Sequence, residues 1–448
     1  MKALRRLASS EQARRLVEIL FSRGLSTLSS FLLLYVASRV LTLPDYGLYV
    51  FLFSAGSALG LFIGLGRPML LIKHLRGGDT CTSAHNRALL RASLLWVGGA
   101  GAAILAFGGV LYMTAPELPS PYNALYLTAG FAAIYAVSEL LQAYFRVREN
   151  FWLALVPREN LWRPLAAAVL VAGVVLGISW SGRTAFVAVS LALLVSIAVQ
   201  VVVFLRQSSG VWTLSRATEL RGRLRAWRRE GAFFWAHTGF AAAAAYLETV
   251  LIGVVIGLEA AAFFFLVTRL TMLLNLPSVA VETFGMPRLS EKLRRNDRAG
   301  AQQLAVTYSF VTFTLALLGS VVLLAIAPYV LVLFDPSFSG NFDVLAVMAA
   351  SVVAHAFFGV GTGMLLLAGG ERYYLIFRTL LFVPYVGCLV VSGQLFGLIG
   401  VAVTSLAFVL IENVIALEWC VRKRGIDLRA STFVTRRFRV SRSAGPPR

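Results

Sequence analysis

Two apolar runs near the start of the chain, residues 16–38 and 47–72, are joined by a turn of only a few residues, Leu43-Pro44-Asp45-Tyr46-Gly47. Each is long enough to cross a hydrocarbon layer about 30 Å thick, which takes about 20 apolar residues in a helix. Lipid supplies no water for the backbone to bond, so two such runs with a short turn form a helical hairpin. Gly56, Gly60 and Gly64, spaced at i, i+4 and i+8, share one face of the second run and admit a closely packed neighbour. Arg67, next to Pro68, also falls inside that run. A charge at such depth is costly, so it faces protein or a polar cavity rather than lipid. The run ends on a basic cluster, Lys73, His74 and Arg76.

The pattern continues to the end of the chain. Further spans are predicted over 89–113, 122–145, 157–179, 184–205, 233–256, 260–286, 303–327, 344–368, 373–393 and 397–421, twelve in all. Composition agrees: 14% of residues are charged and the mean hydropathy is +0.78, against about 25% charged in a soluble domain. The formal charge of +20 would suit a nucleic acid, but its placement excludes that partner. Of 41 Lys and Arg residues, 36 fall in the termini, the alternate connections and the span ends that adjoin them, two (Arg39 and Arg183) in the opposite connections, and three (Arg23, Arg67, Arg269) further inside spans. This bias orients the chain with both termini in the cytoplasm. The basic start, MKALRRLASS, precedes an apolar run too long for a signal core and is read as leading into an uncleaved first span. Cys81, Cys388 and Cys420 show neither disulfide nor metal spacing.

The predicted organisation is therefore all-α and polytopic, with twelve transmembrane helices in two parallel six-helix lobes around a central cavity. Its parts are a basic amphipathic N-terminus (1–15), an N-lobe (16–205), a basic cytoplasmic linker (206–232), a C-lobe (233–421) and a basic tail (422–448). Six spans return the chain to its starting side, so a second half repeats the first in parallel. Leu258-Glu259-Ala260-Ala261-Ala262-Phe263, before the eighth span, faintly echoes Pro44-Asp45-Tyr46-Gly47-Leu48-Tyr49.

Arg39, Leu41, Asp45, Tyr46, Gly47 and Tyr49, in the pattern R-x-L-x-x-x-D-Y-G-x-Y ahead of a glycine-rich second span, resemble the oligosaccharide flippases of the multidrug/oligosaccharidyl-lipid/polysaccharide (MOP) exporter superfamily. Those proteins usually have L-G-P before the acidic residue, where this chain has Leu41-Thr42-Leu43-Pro44. The resemblance implies a transporter in the bacterial inner membrane. It would flip an undecaprenyl-diphosphate-linked oligosaccharide from the cytoplasmic to the outer leaflet for O-antigen, capsule or exopolysaccharide. It also implies a lipid-linked oligosaccharide as substrate, membrane lipids around it, and a polysaccharide polymerase and other assembly proteins as partners. Peptidoglycan-lipid flippases of the superfamily line their cavity with arginines on the first, second and eighth spans, and Arg23, Arg67 and Arg269 are similar by span.

The residues themselves leave several roles open. Arg23 shares a helix face with Thr27 and Ser30, either to meet an anionic headgroup or to snorkel to the interface beside Glu11 or Glu18. Arg67 has the same two readings. Arg269 lies deep in the eighth span, beside a polar stripe of Thr268, Thr271, Asn275, Ser278 and Glu282, with Pro277 set to bend the helix. On the seventh span His237 and Glu248 share one face; Glu248 either pairs with Arg269 or couples transport to H+ or Na+, for which His237 and Glu282 are the other candidates. His355 reads as a core histidine. Glu139, Glu412 and Glu418 read as structural, with Arg146 and Arg422 nearby. No metal cluster, cofactor motif or catalytic constellation stands out, so the chain is read as a transporter rather than an enzyme. The alternatives are a drug/cation antiporter of the same superfamily, which would be expected to place acidic residues in its first lobe, and a glycan-polymerising membrane enzyme, which would need a larger outer loop than Phe334 to Asp343.

Overall fold

The computed structural model describes residues 11–75, 84–208, 217–295, 297–359, 361–367 and 369–433. The basic N-terminus up to residue 10, Cys81 and the tail beyond residue 433 lie outside these. Every regular element among the described residues is helical. In chain order they are α1 (Glu11–Val40), α2 (Leu43–Ile63), α3 (Arg67–His74), α4 (Ala84–Thr114), α5 (Tyr126–Val147), α6 (Phe151–Leu155), α7 (Trp162–Val175) and α8 (Gly182–Gln207). They continue as α9 (Ala217–Val255), α10 (Leu258–Leu274), α11 (Leu276–Arg294), α12 (Arg298–Phe334), α13 (Phe342–Phe358), α14 (Gly361–Leu367) and α15 (Glu371–Arg424). Where two short helices share one predicted span, they do so across a break, and α15 supplies two spans because Gly397, at φ 63°, folds it back. The segments thus correspond to twelve spans.

Five of the described helices, α15 counted once, and the run Pro336–Leu365 that takes in α13 and α14 are long and apolar enough to cross a membrane; a further one qualifies if α9 is taken across its 52° bend. Their outward faces are densely apolar: Val195, Val321, Val322 and Tyr329 are all more than half exposed. A water-soluble protein does not leave such surfaces bare. This is a multi-pass membrane protein.

The chain divides into two compact units, Met1–Val254 and Val255–Arg448. In the first, the D-Y-G turn has a mechanical role. Thr42 caps α2 and donates to Asp45 Oδ2 at 2.9 Å, while Asp45 Oδ1 accepts from the backbone N–H of Gly182 at the start of α8 at 2.7 Å. One carboxylate thus ties together two helix N-termini, whose unpaired N–H groups favour negative charge. Tyr46 and Tyr49 are buried behind it, 6.5 Å apart. The glycine face packs as the spacing predicts. A Cβ on Gly60 would lie 2.9 Å from the Tyr135 side chain and 3.1 Å from Ala132 O, and one on Gly56 would lie 2.9 Å from Phe131, all on α5. Gly64 instead ends α2.

Residues 217–232, read from the sequence as linker, form the first turns of α9. That helix belongs to the first unit, docked through Lys73 and His74 of α3 on Glu230 and through Trp235 Nε1, which donates to Phe62 O at 2.8 Å. The second unit is centred on Leu289, Ala301, Met364, Leu365, Phe377, Ala416 and Cys420. There Gln302 exchanges two hydrogen bonds with the backbone of Asp427, fastening the end of the chain onto α12.

Candidate functional site

The second predicted span is not one helix. α2 ends at Ile63, Leu65 and Gly66 take positive φ, and α3 starts afresh at Arg67. With 21 residues, α2 is about 31 Å long and crosses the hydrocarbon by itself. Arg67 therefore sits at the end of a span rather than midway along one. It is 4% exposed, and its Nε is buried without a hydrogen-bond partner. Its Cζ lies 5.1 Å from the centre of the Trp96 ring on α4. No carboxylate bridges to it among the described residues.

The carboxylates placed in the spans are engaged differently. Between α6 and α7 the chain makes a π-helical turn, Val156–Leu161, a distortion that re-aims side chains and recurs at functional sites. It carries Arg158, with a side chain 12% exposed, which ion-pairs with Glu139 of α5 and donates to Gln142 Oε1 at 2.9 Å and Ser138 Oγ at 3.2 Å. Its Cζ lies 4.8 Å from the Tyr135 ring centre. Glu159 accepts from Gln142 Nε2 at 2.7 Å and from Arg146 at 3.1 Å. Arg163 reaches across to Ser26 on α1 at 3.2 Å. Arg158 and Arg163, at the start of the predicted fifth span, both lie in the fifth helical segment. The sequence reading placed Arg146 beside Glu139, whereas Glu139 takes Arg158 and Arg146 takes Glu159. The π turn brings the fifth segment's charges onto α5, which i, i+4 spacing does not reveal. Glu412 bridges to Arg378 at 3.1 Å and Glu418 to Arg422 at 2.5 Å.

The other candidates belong to four helices, α1, α9, α10 and α11. The side chains of Arg23, His237 and Glu282 lie outside the described residues. Glu248 is half-buried on α9 in the first unit. Arg269 belongs to α10 in the second, with its Cζ 4.5 Å from the Phe265 ring centre and its Nη1 3.4 Å from Met272 Sδ. Thr268 and Thr271, the described start of the polar stripe, donate to carbonyls of their own helix. The break at Asn275, before Pro277, interrupts the eighth span as expected. His355 Nδ1 meets Asn413 Nδ2 at 3.1 Å, consistent with a core histidine. A cleft of about 580 Å³ among α12, α13 and Leu410 is lined almost wholly by apolar side chains, Ser320 being the exception. It offers nothing to orient a polar ligand.

Among solved structures, the chain is similar to the inward-facing form of a multidrug resistance MATE family transporter of the MOP superfamily, with a TM-score of 0.68 and 17% identity over 88% of this chain and 93% of that one. The fold is that of the MATE transporters. The outward-facing form of a multidrug resistance MATE family transporter gives a TM-score of 0.58 at 16% identity, over 89% and 92% of the two chains. A MOP superfamily transporter from Pyrococcus furiosus, described as having a binding pocket of reverse polarity that suggests a different function, gives 0.58 at 14% identity, over 90% and 93%. At these identities the likeness is one of fold: the all-helical, twelve-helix, two-lobe transporter architecture. No protein-family model and no curated protein matches the sequence.

Proposed function

We propose that this chain exports an anionic lipid-linked substrate, specifically a polyprenyl-diphosphate oligosaccharide flipped from the cytoplasmic to the outer leaflet of a bacterial inner membrane. The observation that carries this reading is the balance of buried charge. Glu139, Glu159 and Glu412 are each bridged to an arginine, while Arg67 is buried with no carboxylate bridged to it among the described residues. The arrangement is short of negative charge at a position of costly burial, and an anionic ligand supplies it. Arginine suits a diphosphate because its planar fork meets phosphate oxygens two at a time. In this proposal Arg23, Arg67 and Arg269 hold the diphosphate in transit, and Glu248, with His237 and Glu282, serves H+ or Na+ coupling. A polysaccharide polymerase would receive the product.

The excess of basic residues at the termini and alternate connections supports cytoplasmic termini. With that orientation, moving about two negative charges outward against an inside-negative potential gains about 4–5 kcal/mol per 100 mV. A second reading, a drug/cation transporter, draws on the multidrug resistance MATE transporters that share the fold. It would have Glu248 bind the cation.

The test is export by arginine variants. Arg23→Ala, Arg67→Ala and Arg269→Ala are each expected to abolish export of the surface polysaccharide, and the lysine variants to impair it, at unchanged abundance in the membrane. Full export by an Arg23→Ala/Arg269→Ala double variant would refute the proposal.

A further inference from the structure

The break that frees Arg67 also docks α3 on α9 backbone to backbone. Gly66 is at φ 65°, and a Cβ there would lie 2.5 Å from Trp235 N and 2.7 Å from Gly231 O. Only glycine permits that approach. The Arg67 guanidinium consequently lies against Gly231, whose absent Cβ would come 3.7 Å from Cζ. Arg228, one helical turn before Gly231, is delivered to the same place. Its Cζ lies 5.5 Å from the centre of the Trp96 ring, the ring that Arg67 Cζ approaches at 5.1 Å.

Two guanidiniums therefore converge on one indole. Each is attracted to the ring, and the two repel each other. Neither has a carboxylate partner among the described residues. The carboxylate nearest in sequence, Glu230, is held by Lys73 and His74.

The depth of this cluster says where a counter-charge comes from. Arg67 follows a helix about 31 Å long. Trp96 lies 18 residues before Thr114, the end of α4, which is about 27 Å of helix. Two separate helices thus put the cluster about one hydrocarbon thickness from the opposite face, at the level of lipid headgroups. Interfacial tryptophans favour that level. Trp96 is 41% exposed, and α4 beside it shows Leu95, Leu105, Phe107 and Val110, all at least half exposed, to the surroundings. The cluster opens sideways, toward lipid.

We propose that Arg67, Trp96 and Arg228 form a binding site for the phosphate of a membrane lipid on the bilayer-facing side of the first unit. Arg228 is the accessible arm, Arg67 the buried charge behind it, and Trp96 the wall that keeps both side on. The chemistry recognised is a lipid phosphate, supplied either by an anionic phospholipid or by a polyprenyl-diphosphate carrier. The site shares Arg67 with the transport reading but not Arg228 or Trp96, and it stands whichever substrate is moved.

The experiment uses the full chain in nanodiscs of phosphatidylcholine, with phosphatidylglycerol or undecaprenyl diphosphate titrated in and bound lipid counted by native mass spectrometry. Arg228→Gln is expected to weaken the bound anionic lipid about tenfold, and Arg67→Lys to weaken it in the same direction. Loss for both lipids supports a general phosphate site. Loss for undecaprenyl diphosphate alone supports a site tuned to the carrier, and loss for phosphatidylglycerol alone supports a headgroup site. Unchanged affinity for both lipids in a folded Arg228→Gln protein, verified by an unaltered thermal midpoint, overturns the proposal. Because Arg228 is exposed, that variant decides even where Arg67→Lys does not fold. The readout is binding, so a chain that holds lipid here yet flips no oligosaccharide fails the transport reading and keeps this one.

Discussion

Replacing Arg158 with Met removes the centre of the charged network in the first unit. Glu139 would lose its ion pair, and Gln142 Oε1 and Ser138 Oγ would lose their donor. Breaking one side of a buried pair costs about 3–5 kcal/mol because the remaining charge stays buried. The side chains here are 12% and 20% exposed, so the lower end applies, about 3 kcal/mol, and the stranded Gln142 oxygen adds about 1 kcal/mol. Glu139→Leu should cost a similar amount by stranding Arg158. The double variant, Arg158→Met/Glu139→Leu, leaves no unpaired charge and should lose only about 1 kcal/mol, since removing both members of a buried pair is often near neutral. The assay is equilibrium unfolding in mixed micelles, read by tryptophan fluorescence and analysed as a double-mutant cycle. If the double variant is as unstable as the two single losses added together, the pair is not coupled and the network does not carry the stability assigned to it.

Other expectations follow from single contacts. Gly60→Ala should lower the thermal midpoint by crowding Tyr135, whereas Gly98→Ala, on α4 with nothing within 4 Å of a new Cβ, should be neutral or stabilising by up to about 1 kcal/mol. Glu230, hydrogen-bonded by Lys73 and His74, is held below its ordinary carboxylate value. Its contribution to docking α3 on α9 is therefore complete from pH 5 upward and lost as pH falls through the lowered value, worth at most about 1 kcal/mol at this exposure. Hydrogen exchange of residues 67–75 at pH 7 should be faster in Glu230→Gln than in the unaltered chain; an equal rate in the variant would show that the clasp does nothing. In a background without Cys81, Cys388 and Cys420, cysteines at Asp45, Glu117 and Asp335 should label from outside and those at Arg76 and Arg221 from inside. External labelling at Arg221 would reverse the orientation and the direction of transport.

Much of the architecture is legible in the sequence because the bilayer makes hydropathy a strong signal. The succession of spans, the D-Y-G hairpin and the close approach at Gly56 and Gly60 all follow from residue type and spacing. The break at Leu65 and Gly66 did not. Apolarity runs through it without a pause, and only the pair of glycines before Arg67-Pro68 marks it. Arg67 was consequently read as lying within a span, when α2 alone completes the crossing. Arg158 was missed for a related reason. A charge near the start of a span counts equally well as a loop charge, and nothing in a one-dimensional pattern shows that a π turn aims it at Glu139. Pro157 followed by Arg158-Glu159-Asn160 inside an apolar run was the available sign. Arg228 fell in a stretch read as linker, so its position over Trp96 had no sequence signal beyond its charge.

The central claim is that the substrate is an anionic lipid-linked glycan, and reconstitution tests it most directly. The purified chain in proteoliposomes, with an inside-negative potential, would be given a fluorescent undecaprenyl-diphosphate oligosaccharide in one series and a fluorescent organic cation in another. The account predicts potential-dependent appearance of the glycan on the far leaflet, lost in Arg67→Ala, and no transport of the cation. Cation movement that depends on Glu248, with the glycan left in its original leaflet, would contradict it.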